Sequence, residues 1–441
     1  MPPLRAAFAL LLPFTLACSS PPEPAKSGSA KSSSEPAKPA NDPVTPATPA
    51  KESKRKPFKV EPRAELVAKD VPPAPTLATT TLAPTQSGSV NLPEGIGVVL
   101  PHAALALEQG LLIVGQAYVE YDPKIRATEI WQFQSFVPST GEPRASKGES
   151  GSIRAGTLDG EGGALLVGSL GVGMDARAWV GRVGPDGSAK AALPIESLGF
   201  SDLLAATGGG PQGELAVLAG FSDTVALLRS IDAAGKKRWQ PALEAEGMLQ
   251  LRALARLDDQ VLLGVGSLAQ REGNAWWVRA AADGSAIEKG TVESLDLEGS
   301  GVDSNRLLYA ITAIPDAGLV ALGLAKRGVV QDHDQVFAVG FDRSGKVEWA
   351  RAIDQVRATQ VRGALGWQGA AMFVLEVPAG EGRALALLRI SGSGDADIRV
   401  EQLEGSEGKR SAGFVQGAAT PEILIADTLG SLSWQRLAVS P

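Results

Sequence analysis

Short apolar runs alternate with glycine-containing turns over most of the chain beyond residue 130. Runs such as GALLVGSL and QVLLGVGSL are each followed by a second run, AWVGRV or WWVRAAA, which ends at a turn. Apolar runs of four to eight residues bounded by turn residues are typical of buried β-strands. The pattern therefore predicts an all-β domain built from successive hairpins.

The turns recur at a nearly constant spacing, with intervals of 46, 48, 49, 61 and 49 residues. The turn glycines are Gly141, Gly187, Gly235, Gly284, Gly345 and Gly394. Repeats of about 40 to 50 residues that each hold several short strands are typical of β-propellers, in which one repeat forms a four-stranded blade. The spacing therefore predicts a propeller.

The last repeat is one strand short, and this predicts how the ring closes. It contains EILIADTL and LSWQRLAV, and the sequence reaches Pro441 where the next glycine turn would fall. An unpaired blade edge invites aggregation, so we expect the N-terminal edge of the domain to provide the missing strand. The candidate segment is SGSVNLPEGIGV, residues 87–98. The expected fold is a seven-bladed, monomeric β-propeller closed by this N-terminal strand.

The first residues, MPPLRAAFALLLPFTLACSS, have one basic residue followed by a mostly apolar stretch from Ala6 to Ala17. This stretch is too short to cross a hydrocarbon core of about 30 Å as a helix, and its flanks are those of a signal peptide. We therefore expect residues 1–17 to be a signal peptide and the protein to be exported.

The single cysteine, Cys18, directly follows this stretch and resembles the lipidated cysteine of bacterial cell-envelope lipoproteins. Ala17 and Cys18 match the family's pattern, whereas Thr15 and Leu16 depart from it. The resemblance implies a lipid anchor on Cys18. Because Ser19 and not Asp follows the cysteine, it also implies outer-membrane sorting, with the protein facing the periplasm or the cell surface. Ordinary signal peptidase cleavage after Ala17 is the alternative.

Residues 18–86 are rich in Pro, Ala, Ser and Lys and have almost no aromatic residues. Such a composition cannot bury enough apolar surface to form a core, so we expect a disordered tether that carries a propeller domain of residues 87–441. The net charge of −7 and the pI near 5.2 argue against nucleic-acid binding, which needs a clustered basic surface.

Two turn segments resemble the repeat of quinoprotein-type (PQQ-type) propellers. They are IDAAGKKRWQPAL, from Ile231 to Leu243, and FDRSGKVEWARAI, from Phe341 to Ile353. The resemblance implies that Trp239 and Trp349 dock between blades. Quinoprotein dehydrogenases also carry calcium ligands and commonly a disulfide between adjacent cysteines; a chain with one cysteine cannot form that disulfide.

Two predicted loops on one face of the propeller are candidate binding sites. The first, in QAYVEYDPKIRATEI, contains Tyr118, Glu120, Tyr121, Asp122 and Arg126. Tyrosine beside arginine is typical of recognition surfaces, because a rigid amphipathic ring gives contact area at low entropy cost. The alternative is a long loop that packs on its own blade.

The second loop, in QDHDQV, contains Asp332, His333 and Asp334. Two carboxylates that flank a histidine could ligate a divalent cation if the loop lets them converge. The alternative is a solvated hairpin loop. The same repeat is the longest one, and its extra residues, Asp296 to Arg306, fall on the same predicted face, where insertions in repeat proteins commonly carry function.

No nucleophile elbow, P-loop or HExxH motif occurs in the sequence. We therefore expect a binding or scaffold module of the cell envelope, without catalytic activity or cofactor, that acts on a protein partner. The alternatives are a quinone-dependent or metal-assisted enzyme in the propeller funnel and a protein that binds cell-wall polysaccharide through Trp and Tyr.

Overall fold

The computed structural model describes residues 75–119, 129–171, 176–193, 202–208, 213–222, 225–241, 243, 249–257, 261–268, 275–281, 283–285, 287–292, 305–326, 334–380, 382–391, 398–428 and 431–439. The chain divides after Glu65, and every described residue belongs to the second part, Leu66–Pro441. This part is all-β, as the alternation of apolar runs predicts, and its described residues include no helix.

Twenty-eight strands are present among the described residues. They are β1 (Ala78–Thr80), β2 (Pro84–Asn91), β3 (Ile96–Leu107), β4 (Gly110–Val119), β5 (Ile130–Pro138), β6 (Arg144–Leu158), β7 (Ala164–Leu170), β8 (Arg177–Val183), β9 (Ala189–Lys190), β10 (Asp202–Gly208), β11 (Glu214–Ser222), β12 (Val225–Asp232), β13 (Lys237–Trp239), β14 (Leu249–Leu257), β15 (Val261–Leu268), β16 (Ala275–Ala281), β17 (Ile287–Thr291), β18 (Asn305–Ile314), β19 (Gly318–Lys326), β20 (Asp334–Phe341), β21 (Val347–Ala358), β22 (Gln360–Trp367), β23 (Ala370–Ala379), β24 (Gly382–Ser391), β25 (Ile398–Leu403), β26 (Arg410–Gln416), β27 (Glu422–Asp427) and β28 (Ser431–Ala438).

The central part of the domain consists of separate antiparallel sheets in which strands follow the order of the chain. Three sheets have four strands each, β10 to β13, β14 to β17 and β18 to β21. A fourth sheet holds β22 to β25 in the same order, and β1 lies parallel to β25 at its outer edge. Each hairpin of the sequence pattern is thus a local antiparallel pair within one sheet.

The remaining strands form one sheet of eleven strands, which joins the two ends of the domain. Its order is β2, β28, β27, β26, β3, β4, β5, β6, β7, β8, β9. The long strand β6 pairs with β5 through its first half and with β7 through its second half. Strand β26, in the C-terminal part of the domain, pairs in parallel with β3, in its N-terminal part, with Val415 opposite Ala104.

The N-terminal segment pairs with the last strand of the chain. Strand β2 is antiparallel to β28, with Gly88 opposite Trp434 and Asn91 opposite Ser431. It differs in position from the expected segment, because β2 covers residues 84–91 and residues 96–98 already belong to β3. Both β1 and β2 begin before residue 87. Edge pairing uses backbone groups, so a Pro- and Thr-rich composition does not reveal it.

We call a run of consecutive antiparallel strands a series. Among the described residues, a β-bulge interrupts the first strand of every series. The pairing of the first strand with the second skips one residue in each case. The skipped residues are His102, Arg154, Leu204, Arg252, Tyr309, Arg362 and Ala412. A small residue, Ala or Gly, follows each of them in the sequence.

The second strand approaches the bulge closely, and glycine makes this approach possible. A Cβ atom on Gly266 would lie 1.6 Å from the carbonyl oxygen of Gln250, and one on Gly168 would lie 1.9 Å from that of Ser152. Such contacts are impossible for any other residue without a backbone shift. The glycines that interrupt the apolar runs of the sequence thus have a packing reason.

Apolar side chains fill the space between neighbouring sheets. One cluster combines Val217 and Leu228 of one sheet with Leu251 and Val278 of the next, and Trp239 packs against it. A Cβ atom on Gly284, which has φ of +73°, would lie 2.7 Å from the indole of Trp239. Trp239 therefore packs against the turn of the following sheet.

Candidate functional site

Among the first group of candidate binding residues, the described part of the chain contains Tyr118. It lies near the end of β4, opposite Val98 at the start of β3, and the Gln116 side-chain amide donates a hydrogen bond to its hydroxyl. The other members, Glu120, Tyr121, Asp122 and Arg126, lie outside the described residues. Their role in binding stays a prediction.

In the second group, Asp334 is the first residue of β20 and lies opposite Ala358. Asp332 and His333 lie outside the described residues, as does Cys18. Within the described ranges, no group of three or more His, Cys, Asp or Glu side chains is placed to hold a metal ion. The same ranges contain no helix long and apolar enough to span a membrane.

Tyr118 and Asp334 lie at the same end of their sheets. Tyr118 is paired with the beginning of β3. Strand β20, which starts at Asp334, begins beside the end of β19. The end of β19 is in turn paired with the beginning of β18. We call this end, at which the first strand of each series begins, the upper end.

The geometry of the first strands reveals a site that the loop motifs do not indicate. A cavity of about 320 Å³ is lined, among the described residues, by seven strands: β3, β6, β10, β14, β18, β22 and β26. These are the strands that carry the bulges. Six of the skipped side chains lie on the cavity wall: His102, Arg154, Leu204, Arg252, Tyr309 and Arg362.

The bulges explain why these side chains share one cavity. A bulge adds one residue to a strand and re-aims its side chain, which ordinary alternation would not place on that side. In β10, β14, β18, β22 and β26 the skipped residue lies within the first five residues of the strand. The wall therefore has its charged groups towards the upper end. We call this cavity the arginine channel.

The first channel arginine, Arg154, is held by polar neighbours on two sheets. Its Nε lies 3.3 Å from Oδ2 of Asp202, and a terminal nitrogen donates to Oε1 of Gln116 at 3.2 Å. Burial raises the pKa of Asp202, and the positive charge of Arg154 opposes that rise. Arg154 is thus balanced by a carboxylate that is itself costly to ionise.

The second, Arg362, belongs to a buried ionic cluster centred on Glu376. Arg362 donates from Nε to Oε1 of Glu376 at 2.7 Å, and a terminal nitrogen forms an ion pair with the same oxygen at 2.6 Å. Arg410 and Arg383 approach the other carboxylate oxygen, at 3.4 Å and 3.5 Å. The side chain of Glu376 is only 1% exposed. Burial lowers the pKa of Arg362, and Glu376 opposes that effect.

The third, Arg252, has no carboxylate partner among the described residues. A terminal nitrogen donates to Oε1 of Gln250 at 2.6 Å, and the guanidinium carbon lies 5.0 Å from the ring centroid of Tyr309. Its Nε is shielded from solvent and has no hydrogen-bond partner in the described structure. Arg252 is therefore a partly buried cation held by neutral groups.

His102 is the imidazole of the channel. Burial and, to a lesser extent, the charges of Arg154 and Arg362 together lower its pKa to about 3, and a hydrogen bond with Gln116 opposes them. Its Nε2 atom is buried and lacks a hydrogen-bond partner within the described ranges. The imidazole is thus neutral near neutral pH and has one free nitrogen.

A signal for this site exists in the sequence, but it lies in the strands before the apolar runs. The tripeptides centred on the bulges are PHA, IRA, LLA, LRA, LYA, VRG and SAG. Six begin with an aliphatic residue or proline, and all seven end in Ala or Gly. The middle position alone varies in chemistry, as expected of a site carried on a repeated scaffold.

No family model and no curated protein sequence matches the chain. Solved structures give weak likenesses. The β-propeller domain of the Trilobed protease from Pyrococcus furiosus has a TM-score of 0.43 at 9% identity, over 78% of this chain and 97% of that one. Sqt1 from Chaetomium thermophilum has 0.44 at 11%, over 80% and 100%. NanB sialidase from Streptococcus pneumoniae has 0.41 at 8%, over 85% and 72%. All three TM-scores are below 0.5.

Proposed function

We propose that the domain is a seven-bladed β-propeller that serves as a binding module. The observation that carries the proposal is the arginine channel, because its wall takes a residue from the first strand of every antiparallel series. In a propeller the first strands of all blades surround a central channel. The parallel pairing of β26 with β3 supports a closed ring, since it brings the first strand of the last series beside the first strand of the earliest series.

In this proposal β2 is the fourth strand of the last blade and closes the ring. A disulfide between Ser89→Cys and Ser433→Cys tests the closure, because these exposed residues lie opposite each other and the natural cysteine is outside the domain. We expect the disulfide to form in air and to raise the unfolding midpoint. The pair Ser89→Cys with Ser188→Cys is the control, and equal disulfide formation in both pairs would contradict the closure.

The chemistry of the channel wall supports binding over catalysis. Guanidinium groups remain protonated in proteins and bind anions in a fixed geometry, and they do not exchange protons near neutral pH. The neutral His102 has too low a pKa to act as an effective general base there. We therefore propose a module without enzymatic activity.

The proposed location is the outer face of the cell envelope or the periplasm, with a lipid on Cys18 as the membrane anchor. The support is the sequence motif at Ala17 and Cys18. Replacement Cys18→Ala is expected to move the protein from the membrane fraction to the soluble fraction of cells that export it. Continued sedimentation of the variant with the membranes would contradict the anchor.

The proposed partner is an envelope protein that contacts the upper end of the domain, where Tyr118 and Asp334 lie. A photo-crosslinking residue at each of these positions, with Ser188 as a control on an exposed turn, tests this in intact cells. We expect Tyr118 and Asp334 to capture the same protein and Ser188 to capture none of it. Capture of cell-wall glycan instead, or equal capture at all three positions, would contradict the protein partner.

A further inference from the structure

We propose that the arginine channel is a binding site for a tetrahedral dianion, a phosphate or sulfate group, free or at the end of a larger ligand. The structure assigns Arg252 as the main contact of this group, with Arg154 and Arg362 on the same cavity wall. This proposal depends on the channel alone and is independent of a lipid anchor and of a protein partner.

The first argument is the charge balance of the wall. The channel arginines and the groups in ionic contact with them comprise five guanidinium groups and two carboxylates, those of Asp202 and Glu376. Positive charge therefore exceeds negative charge by three among these described groups. Like charges gathered on one concave wall repel each other unless an opposite charge is present, so an anionic ligand would balance this excess.

Two buried nitrogen atoms on the channel wall lack hydrogen-bond partners among the described residues. They are Nε of Arg252 and Nε2 of His102, and both are shielded from solvent. Buried polar atoms are almost always satisfied, and an unsatisfied one commonly marks an unoccupied ligand or water position.

The third argument is the order of residues around the channel. Arginine stands on alternate first strands, at β6, β14 and β22, and the strands between them carry Leu204 and Tyr309. Three arginines on one cavity wall suit an anion with several oxygens. Arg252 has no carboxylate partner and can form a bidentate pair with two of them, and Arg154 and Arg362 have further N–H groups besides those that face Asp202 and Glu376. A carboxylate has two oxygens in one plane and one charge, and it matches this arrangement less well.

The size of the channel agrees with this ligand class. The cavity of about 320 Å³ lies at the lower end of the volumes usual for small-ligand sites, so it accepts a phosphate group and the start of whatever carries it. The stacking of Arg252 on Tyr309 keeps the guanidinium in place before the ligand arrives, which lowers the entropy cost of binding.

The test uses sodium sulfate and inorganic phosphate as probes with the exported form of the protein at pH 7.5 and constant ionic strength, adjusted with chloride. We expect both to raise the unfolding midpoint in a saturable way and to give a one-site isotherm by calorimetry. Acetate is the carboxylate arm and should bind at least tenfold more weakly. No response beyond that of chloride, or a stronger response to acetate, would overturn the proposal.

Two variants locate the site. Arg252→Gln should weaken sulfate binding about tenfold or more. Its matched control is Arg144→Gln, which removes an exposed arginine that donates to the Asp186 carbonyl outside the channel and should leave binding unchanged. Equal weakening by both would overturn the channel as the site.

Leu204→Glu decides the question independently of how Arg252→Gln folds. It places a carboxylate on the channel wall among the arginines, where it should act as a built-in anion. We expect a higher unfolding midpoint in chloride and no response to sulfate. An unchanged sulfate response, or failure of this variant to fold, would contradict an uncompensated positive channel.

Discussion

Arg252 and Arg362 occupy the same bulge position in two different sheets, yet their surroundings differ. Arg362 makes a hydrogen bond and an ion pair with Glu376, a carboxylate that Arg383 and Arg410 also approach. Arg252 has a glutamine and a tyrosine ring instead. The same backbone device therefore presents one arginine whose charge is neutralised inside the protein and one whose charge is not.

This difference separates structural charge from charge that is available to a ligand. Removing one partner of a buried ion pair is costly because the other charge is left unpaired in a medium of low polarity. A partly buried arginine without a carboxylate has no such internal partner, so its removal should cost little in the absence of ligand. The following substitutions test this distinction.

The largest expected effect is that of Glu376→Gln. It leaves Arg362 and Arg410 without their carboxylate, and we expect the free energy of unfolding to fall by about 3–5 kcal/mol. Chemical denaturation measures the loss. The corresponding change beside the other arginine, Gln250→Ala, should cost about 1 kcal/mol. Similar losses for both would contradict the distinction between the two arginines.

The arginines themselves give the next effect. Arg362→Met should lower the free energy of unfolding by about 2–3 kcal/mol, because Glu376 loses a hydrogen bond and its nearest cation but keeps two other cations. Arg252→Met should change it by less than about 1 kcal/mol in chloride, since the methionine keeps the apolar stem and removes an unbalanced charge. Denaturation curves recorded without phosphate or sulfate measure both. A larger loss for Arg252→Met would show that the channel charge is structural.

His102 sharpens the comparison through pH. Its folded pKa of about 3 is below its unfolded value of 6.5, so the unfolded state binds more protons between these values and stability falls as the pH falls. From pH 6.5 to pH 5 the wild-type protein should lose about 2 kcal/mol that His102→Gln does not lose, at about 1.4 kcal/mol per pH unit. The raised pKa of Asp202 acts with the opposite sign in both proteins and cancels in the difference. Parallel pH profiles would contradict a desolvated His102 beside the arginines.

The smallest expected effect on the free energy of unfolding comes from the Tyr309 ring, which contacts the Arg252 guanidinium. Tyr309→Leu should lower the free energy of unfolding by about 0.5–1 kcal/mol through loss of the cation–π contact, whereas Tyr309→Phe should leave it nearly unchanged. Equilibrium denaturation of the two variants side by side checks this. If the phenylalanine variant loses as much as the leucine variant, the hydroxyl and not the ring face supports Arg252.

Sequence periodicity predicted the strands well because the middle strands are buried on both faces and read as continuous apolar runs. Runs such as GALLVGSL correspond to β7, and the turn at Gly284 separates β16 from β17 as expected. The position of the N-terminal strand was less predictable. Residues 84–86 of β2 have no apolar pattern, since an edge strand is held by backbone hydrogen bonds.

The arginine channel was harder to predict because its residues are far apart in the sequence. Arg154, Arg252 and Arg362 are brought together only by the order of the sheets, and each comes from a different strand. A bulge also breaks the alternation by which a strand residue is assigned to a face. The loop candidates, by contrast, were conspicuous as clusters, and most of them lie outside the described residues.

The most direct test of the account is a crystal structure of the protein soaked with sodium selenate, measured for the anomalous signal of selenium. The account predicts one strong peak in the channel, within hydrogen-bonding distance of the Arg252 guanidinium and near Arg154, Arg362 and His102. This result would place the first strands around a common axis and identify the anion site together. Peaks only at exposed arginines such as Arg144, with an empty channel, would contradict it.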